Sequence, residues 1–255
     1  MKKTLIATAL LGMLSVSSAQ AATVLGFKVG GDVWQTDASG SFNADSNIGH
    51  ATGPAQTYNY DSKTQGSVWI ALEHPIPLVP NIKIRENRLE ASGSKSDTDF
   101  FYNGFNFAGE STAYNELSNT DFVLYYEILD NDVVSLDLGA AYKQMHGSLR
   151  IDGEVGDSRA ATQRDIDSGV VMAYGNAQVG VPGLGLFVFA DVLLGIDESG
   201  VHDYSAGLGW EFDGVALDTS IRVGYRDFSF DVDRFSSTTQ DMQFKGAFAG
   251  IELAF

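Results

Sequence analysis

The chain has no cysteine, only five prolines in 255 residues, and about half as many basic as acidic side chains. Without cysteine it can form neither disulfides nor thiolate metal sites. Its 16 lysines and arginines against 33 aspartates and glutamates leave a formal charge of −17. That charge argues against a nucleic-acid partner, because phosphate binding needs basic patches. After residue 21 no apolar run approaches the roughly 20 residues that a membrane-spanning helix needs.

Residues 1–21 have the three parts of a secretory signal peptide. A basic region containing Lys2 and Lys3 precedes an apolar stretch, and small residues follow at Ala19-Gln20-Ala21. We expect cleavage after Ala21, which leaves residues 22–255 as one domain.

The last eleven residues, KGAFAGIELAF, alternate in character. Every second position from Ala247 to Phe255 is apolar, which is the period of a β-strand with one apolar face. A strand at the edge of a sheet leaves backbone groups unpaired unless the sheet closes on itself. The ending therefore predicts the closing strand of a barrel.

The same alternation recurs along the chain and predicts ten strands. Their connections alternate between tight turns, such as Asp213-Gly214, and long polar segments near 36–64, 92–119, 147–166 and 229–241. Outer-membrane barrels have short periplasmic turns and long outer loops. We therefore predict an all-β fold, a ten-stranded antiparallel transmembrane β-barrel with both termini periplasmic, and eight strands as the alternative. The predicted strands are 24–35, 66–74, 81–91, 120–129, 133–146, 168–180, 185–195, 202–212, 215–228 and 242–255.

Charge falls on only one face of these strands. Around residues 215–226, Leu217 and Ile221 lie on one face and Arg222 lies on the other. A cation facing lipid at the bilayer midplane costs about 2–4 kcal/mol, so the charge-free face is expected to meet lipid. One strand fits badly, because Glu86 falls on the lipid face. A bulge near Asn87, or a position at the rim of the membrane, would resolve this.

The polar faces of the strands predict the contents of the lumen. Ten strands enclose little more space than eight, whose side chains fill the interior. We therefore expect an interlocking network of charges that fills a narrow barrel. An ion pathway or a catalytic set of carboxylates is the alternative. The predicted network consists of Lys28, Asp32, Glu73, Glu127, Asp137, Lys143, Asp191, Glu211, Asp218, Arg222, Arg226 and Glu252.

The sequence offers little catalytic chemistry. Its four histidines form no metal-binding pair, and it has no Gly-x-Ser-x-Gly elbow. The dipeptide His202-Asp203 is similar to rim residues of ten-stranded outer-membrane proteases, but no recognisable acidic pair accompanies it. We predict a non-enzymatic protein without a cofactor. An outer-membrane hydrolase with a rim active site and a soluble periplasmic β-barrel that binds an apolar ligand are the alternatives.

Two of the polar segments contain unusual clusters. Acidic residues between Asp152 and Asp167 suggest either a divalent-cation site or, as we prefer, a solvated surface. The segment FFYNGFNFAG, residues 100–109, suggests a strand that continues above the membrane or an aromatic patch for a partner. We favour the strand.

The cleavage region AQA, the alternating strands and the terminal GIELAF resemble bacterial outer-membrane β-barrel proteins. The segments TVLGFKVGGDVWQT and VPNIKIR resemble a family of small outer-membrane proteins of Gram-negative bacteria. The resemblance implies location in the cell outer membrane, contact with lipid and lipopolysaccharide, and insertion by the barrel-assembly machinery. We expect a monomer that is structural or forms a porin-like pore of narrow permeability.

Overall fold

The computed structural model describes residues 25–76, 78–131, 133–215 and 217–255. The predicted signal peptide, residues 1–21, lies outside the described residues. Within the described ranges no helix is long and apolar enough to cross a membrane. The strands are β1 (Gly26–Asn43), β2 (Ala55–Thr57), β3 (Asn59–Tyr60), β4 (Lys63–Glu73), β5 (Asn81–Arg88), β6 (Glu90–Tyr102), β7 (Phe105–Glu116), β8 (Asn119–Asp130), β9 (Val134–Met145), β10 (Gly147–Val155), β11 (Ser158–Ile166), β12 (Gly169–Val181), β13 (Leu186–Gly195), β14 (Val201–Phe212), β15 (Asp218–Phe235) and β16 (Thr238–Ala254).

Ten of these strands form a closed antiparallel barrel. Their order is β1-β4-β5-β8-β9-β12-β13-β14-β15-β16, and β16 pairs back with β1. At the seam Val29 lies opposite Leu253, and Phe27 and Phe255 exchange backbone hydrogen bonds. The ten-stranded all-β prediction is confirmed, and the eight-stranded alternative is wrong. We call the end of the barrel that holds Gly26, Phe255 and the short connections the terminal end.

The predicted strand limits fail mainly at the ends of β1, β15 and β16. β1 continues to Asn43, β15 continues to Phe235 and β16 begins at Thr238, well beyond the predicted limits. At the terminal end Asp213-Gly214 is not a two-residue hairpin. The connection runs from residue 213 to residue 217, so Val215 lies outside the strand predicted to contain it.

The segments predicted as polar loops at 92–119 and 147–166 are instead largely two β-hairpins. β6 with β7 and β10 with β11 continue barrel strands beyond the barrel, and β3 joins them in a second, five-stranded sheet. We call this sheet, with residues 44–58 that cover it, the cap. The turn between β6 and β7 is Asn103-Gly104, with φ of 47° and 90°. Positive φ at both positions is the requirement of a tight type I′ hairpin. The prediction that FFYNGFNFAG forms strand is confirmed.

The outer surface of the barrel is a band of exposed apolar side chains. Aromatic rings stand at both edges of this band, as membrane interfaces favour. At the terminal end the rings of Trp210 and Phe212 lie 4.8 Å apart, and those of Phe27 and Phe255 lie 6.0 Å apart. Exposed members of the band are Val33, Val68, Ile70, Phe122, Leu124, Leu138, Tyr142, Val188, Leu208, Ile221, Val223, Tyr225 and Ile251. Such an exterior matches lipid rather than water.

Glu86 lies at the rim of this band. β5 pairs with both of its neighbours without a register shift, so no bulge is present there. The Glu86 carboxylate accepts a hydrogen bond from Thr120 and lies 3.1 Å from Nε2 of His146. Of the two explanations for this charge, the structure supports the rim position.

Candidate functional site

A buried ionic cluster crosses the lumen of the barrel. Arg85 Nε donates to Asp121 Oδ2 at 3.0 Å, and Arg226 Nε donates to Asp203 Oδ1 at 2.8 Å. Lys143 Nζ lies 2.6 Å from Asp121 Oδ1. Asp203 also receives Arg85 at 3.2 Å and Lys143 at 3.5 Å. Because β5 and β14 stand on opposite sides of the barrel, the bond between Arg85 and Asp203 joins opposite walls.

Two asparagines add hydrogen bonds to this cluster. Asn87 accepts a hydrogen bond from Arg226 at 2.8 Å and donates to Asn119 at 3.0 Å. Asn119 also accepts from Lys143 at 2.9 Å. Buried charges are tolerated when they are paired and fully hydrogen-bonded. The cluster therefore closes the lumen with charges that are paired with one another.

The sequence prediction placed Lys143, Arg226 and Asp191 in the lumen but missed three members of the cluster. Each of these residues stands two positions from a lumen-facing residue of its own strand: Arg85 from Lys83, Asp121 from Val123, and Asp203 from Ser205. Because side chains two positions apart on a strand share a face, alternation could have predicted that all three point into the lumen.

The two side chains of the dipeptide His202-Asp203 lie on opposite sides of the barrel wall. Asp203 points into the ionic cluster, whereas the His202 ring stacks on Tyr204, with centroids 4.5 Å apart. Tyr204 belongs to the exposed outer face. Successive residues of a strand point to opposite sides of the wall, so these two side chains cannot act on one substrate.

Apolar side chains fill the lumen above the ionic cluster, toward the cap. A first layer, fully buried, includes Leu89, Leu117, Met145, Phe230 and Phe244. A second cluster lies inside the cap and contains Phe42, Tyr58, Phe100, Tyr102, Phe107, Leu149 and Ile151. The upper lumen is thus packed like the core of a soluble domain.

The lower lumen opens into a vestibule of about 720 Å³ at the terminal end. Lys28, Glu211, Asp218 and Glu252 are among the side chains that line it. Lys28 Nζ donates to Glu73 Oε1 at 2.8 Å. The vestibule is therefore polar and predominantly acidic.

The twelve residues predicted as one interlocking network divide into two groups. The structure places Asp32, Lys143, Asp191, Arg222 and Arg226 in or beside the ionic cluster. The others, Lys28, Glu73, Glu127, Asp137, Glu211, Asp218 and Glu252, stand nearer the terminal end. The ion pair between Arg222 and Glu252, at 3.4 Å, connects the two groups.

Asp45 fastens the cap at the far end of the molecule. Its side chain is only 2% exposed and accepts hydrogen bonds from the backbone N–H of Ala51 and of Asn103, both at 2.7 Å. Arg164 Nη2 donates to it at 2.9 Å. Burial by itself would raise the pKa of the Asp45 carboxyl, but Arg164 and the two backbone N–H groups hold that pKa below its usual value. Three separate segments therefore meet at one carboxylate.

Replacing Asp45 with asparagine is expected to loosen the cap by about 1.5–3 kcal/mol, the usual contribution of hydrogen bonds to a charged group. Backbone amides of Ala51 and Asn103 should exchange with deuterium faster, whereas amides of β13 should not change. Because folding lowers the pKa of the Asp45 carboxyl, this carboxylate stabilises the cap fully above its unfolded pKa of about 3.9. That stabilisation is lost as the pH falls through the pKa of the folded state. Unchanged exchange in the Asp45→Asn variant, with the exposed Asp99→Asn variant as control, would contradict this role.

The acidic cluster between Asp152 and Asp167 lies along β10, β11 and the residues after them. Asp152 Oδ1 pairs with Arg159 at 3.4 Å across the hairpin. Within the part of the chain that the structure describes, no group of three or more His, Asp or Glu side chains is arranged to hold a metal ion. These residues form a charged surface of the cap.

The known proteins that this chain is similar to are solved structures of low sequence identity. No protein-family model matches the chain, and no curated protein matches it. Among solved structures, a FadL homologue of Pseudomonas aeruginosa is 10% identical over 91% of this chain and 90% of that chain, with a TM-score of 0.36. Ail, the attachment invasion locus protein of Yersinia pestis, is 10% identical over 90% and 99%, with a TM-score of 0.32. The toluene transporter TodX of P. putida is 10% identical over 92% and 90%, with a TM-score of 0.28.

These three neighbours are outer-membrane β-barrel proteins, but the low identities and TM-scores carry no argument about function. The closed ten-stranded barrel follows from the strand pairing of this chain alone. The predicted resemblance to a particular family of small outer-membrane proteins stays a prediction.

Proposed function

We propose that this chain is a non-enzymatic integral protein of the bacterial outer membrane, with a structural role in the cell envelope and a lumen that does not conduct. The observation that carries the proposal is the occupied lumen. An ionic cluster closes the barrel, and apolar layers lie above it.

The exterior supports membrane insertion. Its exposed apolar band would be unfavourable in water, whereas in lipid only the rim charges remain to be accommodated. The rim charges Glu86 and Lys245 both have ion-pair partners. Glu86 is paired at the rim, and Lys245 lies 3.8 Å from Asp227. By the usual arrangement of such barrels the short connections face the periplasm. The terminal end would then be periplasmic and the cap would face outward.

This orientation suggests the immediate partners of the protein. The outer aromatic belt, with Phe122, Tyr142 and Tyr225, would lie near the lipopolysaccharide headgroups. Insertion would depend on the barrel-assembly machinery. We propose a monomer, since the ten-stranded barrel closes on itself through β1 and β16 and leaves no unpaired barrel edge.

A closed lumen distinguishes this proposal from a pore. Ion flow would require displacement of the Arg85–Asp203 contact and of the apolar side chains beyond it. Open aqueous channels are found in barrels of about 16 strands, whereas barrels of about eight strands are filled by side chains. In this ten-stranded barrel, side chains fill the lumen from the ionic cluster to the cap. It therefore resembles the barrels that are filled by side chains.

Single-channel recording in planar bilayers tests the closed lumen. The refolded protein should insert without steady unitary conductance, while a general porin prepared in the same way should conduct. Heat-dependent gel mobility of the same sample establishes that the barrel is folded. Reproducible discrete conductance steps from the folded protein would overturn the proposal.

The structural role is tested in the cell. A strain that lacks the protein is expected to become more sensitive to detergent, and the wild-type gene should restore resistance. The His202→Ala variant should restore it equally, because no chemistry at that residue is required. Unaltered resistance in the deletion strain would contradict a structural role.

A further inference from the structure

The connection between β4 and β5 is rich in proline and in exposed aliphatic side chains. It comprises residues 74–80, HPIPLVP, of which the structure describes all but residue 77, and we call it the proline turn. Ile76 is 56% exposed, Leu78 is 91% exposed and Val79 is 47% exposed. The turn contains no aspartate, glutamate, lysine or arginine. Several exposed apolar side chains in one segment indicate a surface that meets a partner or a membrane.

The backbone of the proline turn offers few free hydrogen-bond donors. Residues 75, 77 and 80 are prolines, which have no N–H. The N–H of His74 donates to Asn81 Oδ1 at 2.9 Å, and that of Ile76 donates to His74 Nδ1 at 3.3 Å. The N–H of Val79 donates to the carbonyl oxygen of Ile76 at 3.4 Å. Backbone donors need protein partners wherever water is absent, so these contacts suit a turn that lies out of water.

A hydrogen bond to the outer wall of the barrel positions the turn. Tyr126 is 45% exposed on the outer face of β8, and its hydroxyl donates to the carbonyl oxygen of Leu78 at 2.9 Å. On the same face the exposed band residues Ile82 and Leu124 lie opposite each other. Within the described part of the turn, no residue lines the vestibule. The apolar band therefore continues from the wall into the turn.

β5 is too short to cross the apolar part of a membrane by itself. It has 8 residues, whereas a membrane-spanning strand needs about 9–11. Only Ile82 and Ile84 face outward on β5 before the charge of Glu86 at the rim. The proline turn precedes Ile82 at the terminal end, where it supplies the apolar surface that β5 lacks.

We propose that the proline turn lies within the periplasmic leaflet of the membrane, with Ile76, Leu78 and Val79 in contact with phospholipid acyl chains. The inference rests on the membrane insertion proposed above and adds a specific lipid contact at the terminal end. In water these side chains would remain hydrated, whereas the leaflet buries them. A protein partner would find few backbone N–H groups to bond, while acyl chains require none.

Fluorescent labels on single cysteines test this placement in phospholipid vesicles. An environment-sensitive NBD dye is attached at Leu78 or at Asp130, the matched control, which is exposed and lines the vestibule at the same end. The label at Leu78 should emit at shorter wavelength than the label at Asp130. Phospholipid with a nitroxide near its headgroup should quench it, and iodide on both sides of the bilayer should not. Iodide quenching as strong at Leu78 as at Asp130 would overturn the proposal.

A third label, at Leu124 in the apolar band, separates this inference from membrane insertion itself. Quenching by lipid at Leu124 together with quenching by iodide at Leu78 would reject the leaflet contact alone. Quenching by iodide at both positions would reject the insertion as well. Quenching by lipid at both is the result that we expect.

A charge at Leu78 should draw the turn toward water. With the label moved to Ile76, the Leu78→Asp variant should show emission at longer wavelength and a gain of iodide quenching. Leu78→Met keeps an apolar side chain and should show neither change. Heat-dependent gel mobility establishes that both variants fold, as expected for a residue whose side chain is 91% exposed. Equal iodide quenching in the two variants would contradict a lipid contact at Leu78.

Discussion

Replacing Asp203 with asparagine is expected to lower the free energy of unfolding by about 3–5 kcal/mol, the usual cost of removing one partner from a buried ion pair. Asp203 is 2% exposed and receives Arg85, Lys143 and Arg226. Asparagine keeps the shape but not the charge, so three cations would lose a shared partner in a site closed to water. The cationic charge then remains buried without compensation.

Urea unfolding of the protein in lipid vesicles, followed by tryptophan fluorescence, measures this loss. Asp227→Asn is the matched control, because Asp227 pairs with Lys245 at 3.8 Å on the partly exposed rim. Exposed pairs contribute about 0–1 kcal/mol. If the two variants lost the same stability, the ionic cluster would not be the closure that holds the lumen together.

Replacing Leu138 with arginine is expected to lower the free energy of membrane folding by about 2–4 kcal/mol, the cost of a cation on the lipid face at the bilayer midplane. Leu138 is exposed on the outer face of β9, between the terminal turn and the aromatic belt at Tyr142. An arginine at this depth must remain in hydrocarbon or distort the bilayer to reach water. The folded fraction in vesicles, read from heat-dependent gel mobility across a urea series, reports the change.

Gln144→Arg provides the control on the same strand and the same face. Gln144 lies two residues beyond Tyr142, on the cap side of the aromatic belt, where a long cation can reach the headgroups. Its effect should stay within about 0–1 kcal/mol. Equal loss of folding at both positions would show that the apolar band does not mark the membrane.

Alternation was enough to predict the barrel because lipid makes a strict demand on every second residue. Val223 and Tyr225 had to be apolar, whereas Arg222 and Arg226 had to point inward. Alternation did not predict the strands of the cap, because β6, β7, β10 and β11 lie beyond the apolar band. Polar residues are allowed there on the outer face. A local signal was nevertheless present, since Asn103-Gly104 between aromatic residues is a strong hairpin indicator.

The ionic cluster was harder to predict than the barrel. Alternation shows that Arg85 and Asp203 point inward, but not that they meet, since they are 118 residues apart on opposite walls. That contact depends on the stagger of the strands around the whole barrel, which no local pattern contains. For the same reason the predicted network was not recognised as two groups, one packed and one bordering a vestibule.

Accessibility of nitroxide labels on one strand tests the central claim most directly, and the absence of native cysteine makes single labelling possible. Leu138 lies on the outer face of β9 and Ser135 lines the vestibule. In vesicles the label at Leu138 should relax strongly with oxygen, which concentrates in lipid, and weakly with a water-soluble nickel complex. The label at Ser135 should show the reverse. A water-exposed label at Leu138 together with a lipid-exposed label at Ser135 would contradict an apolar outer wall around a polar vestibule.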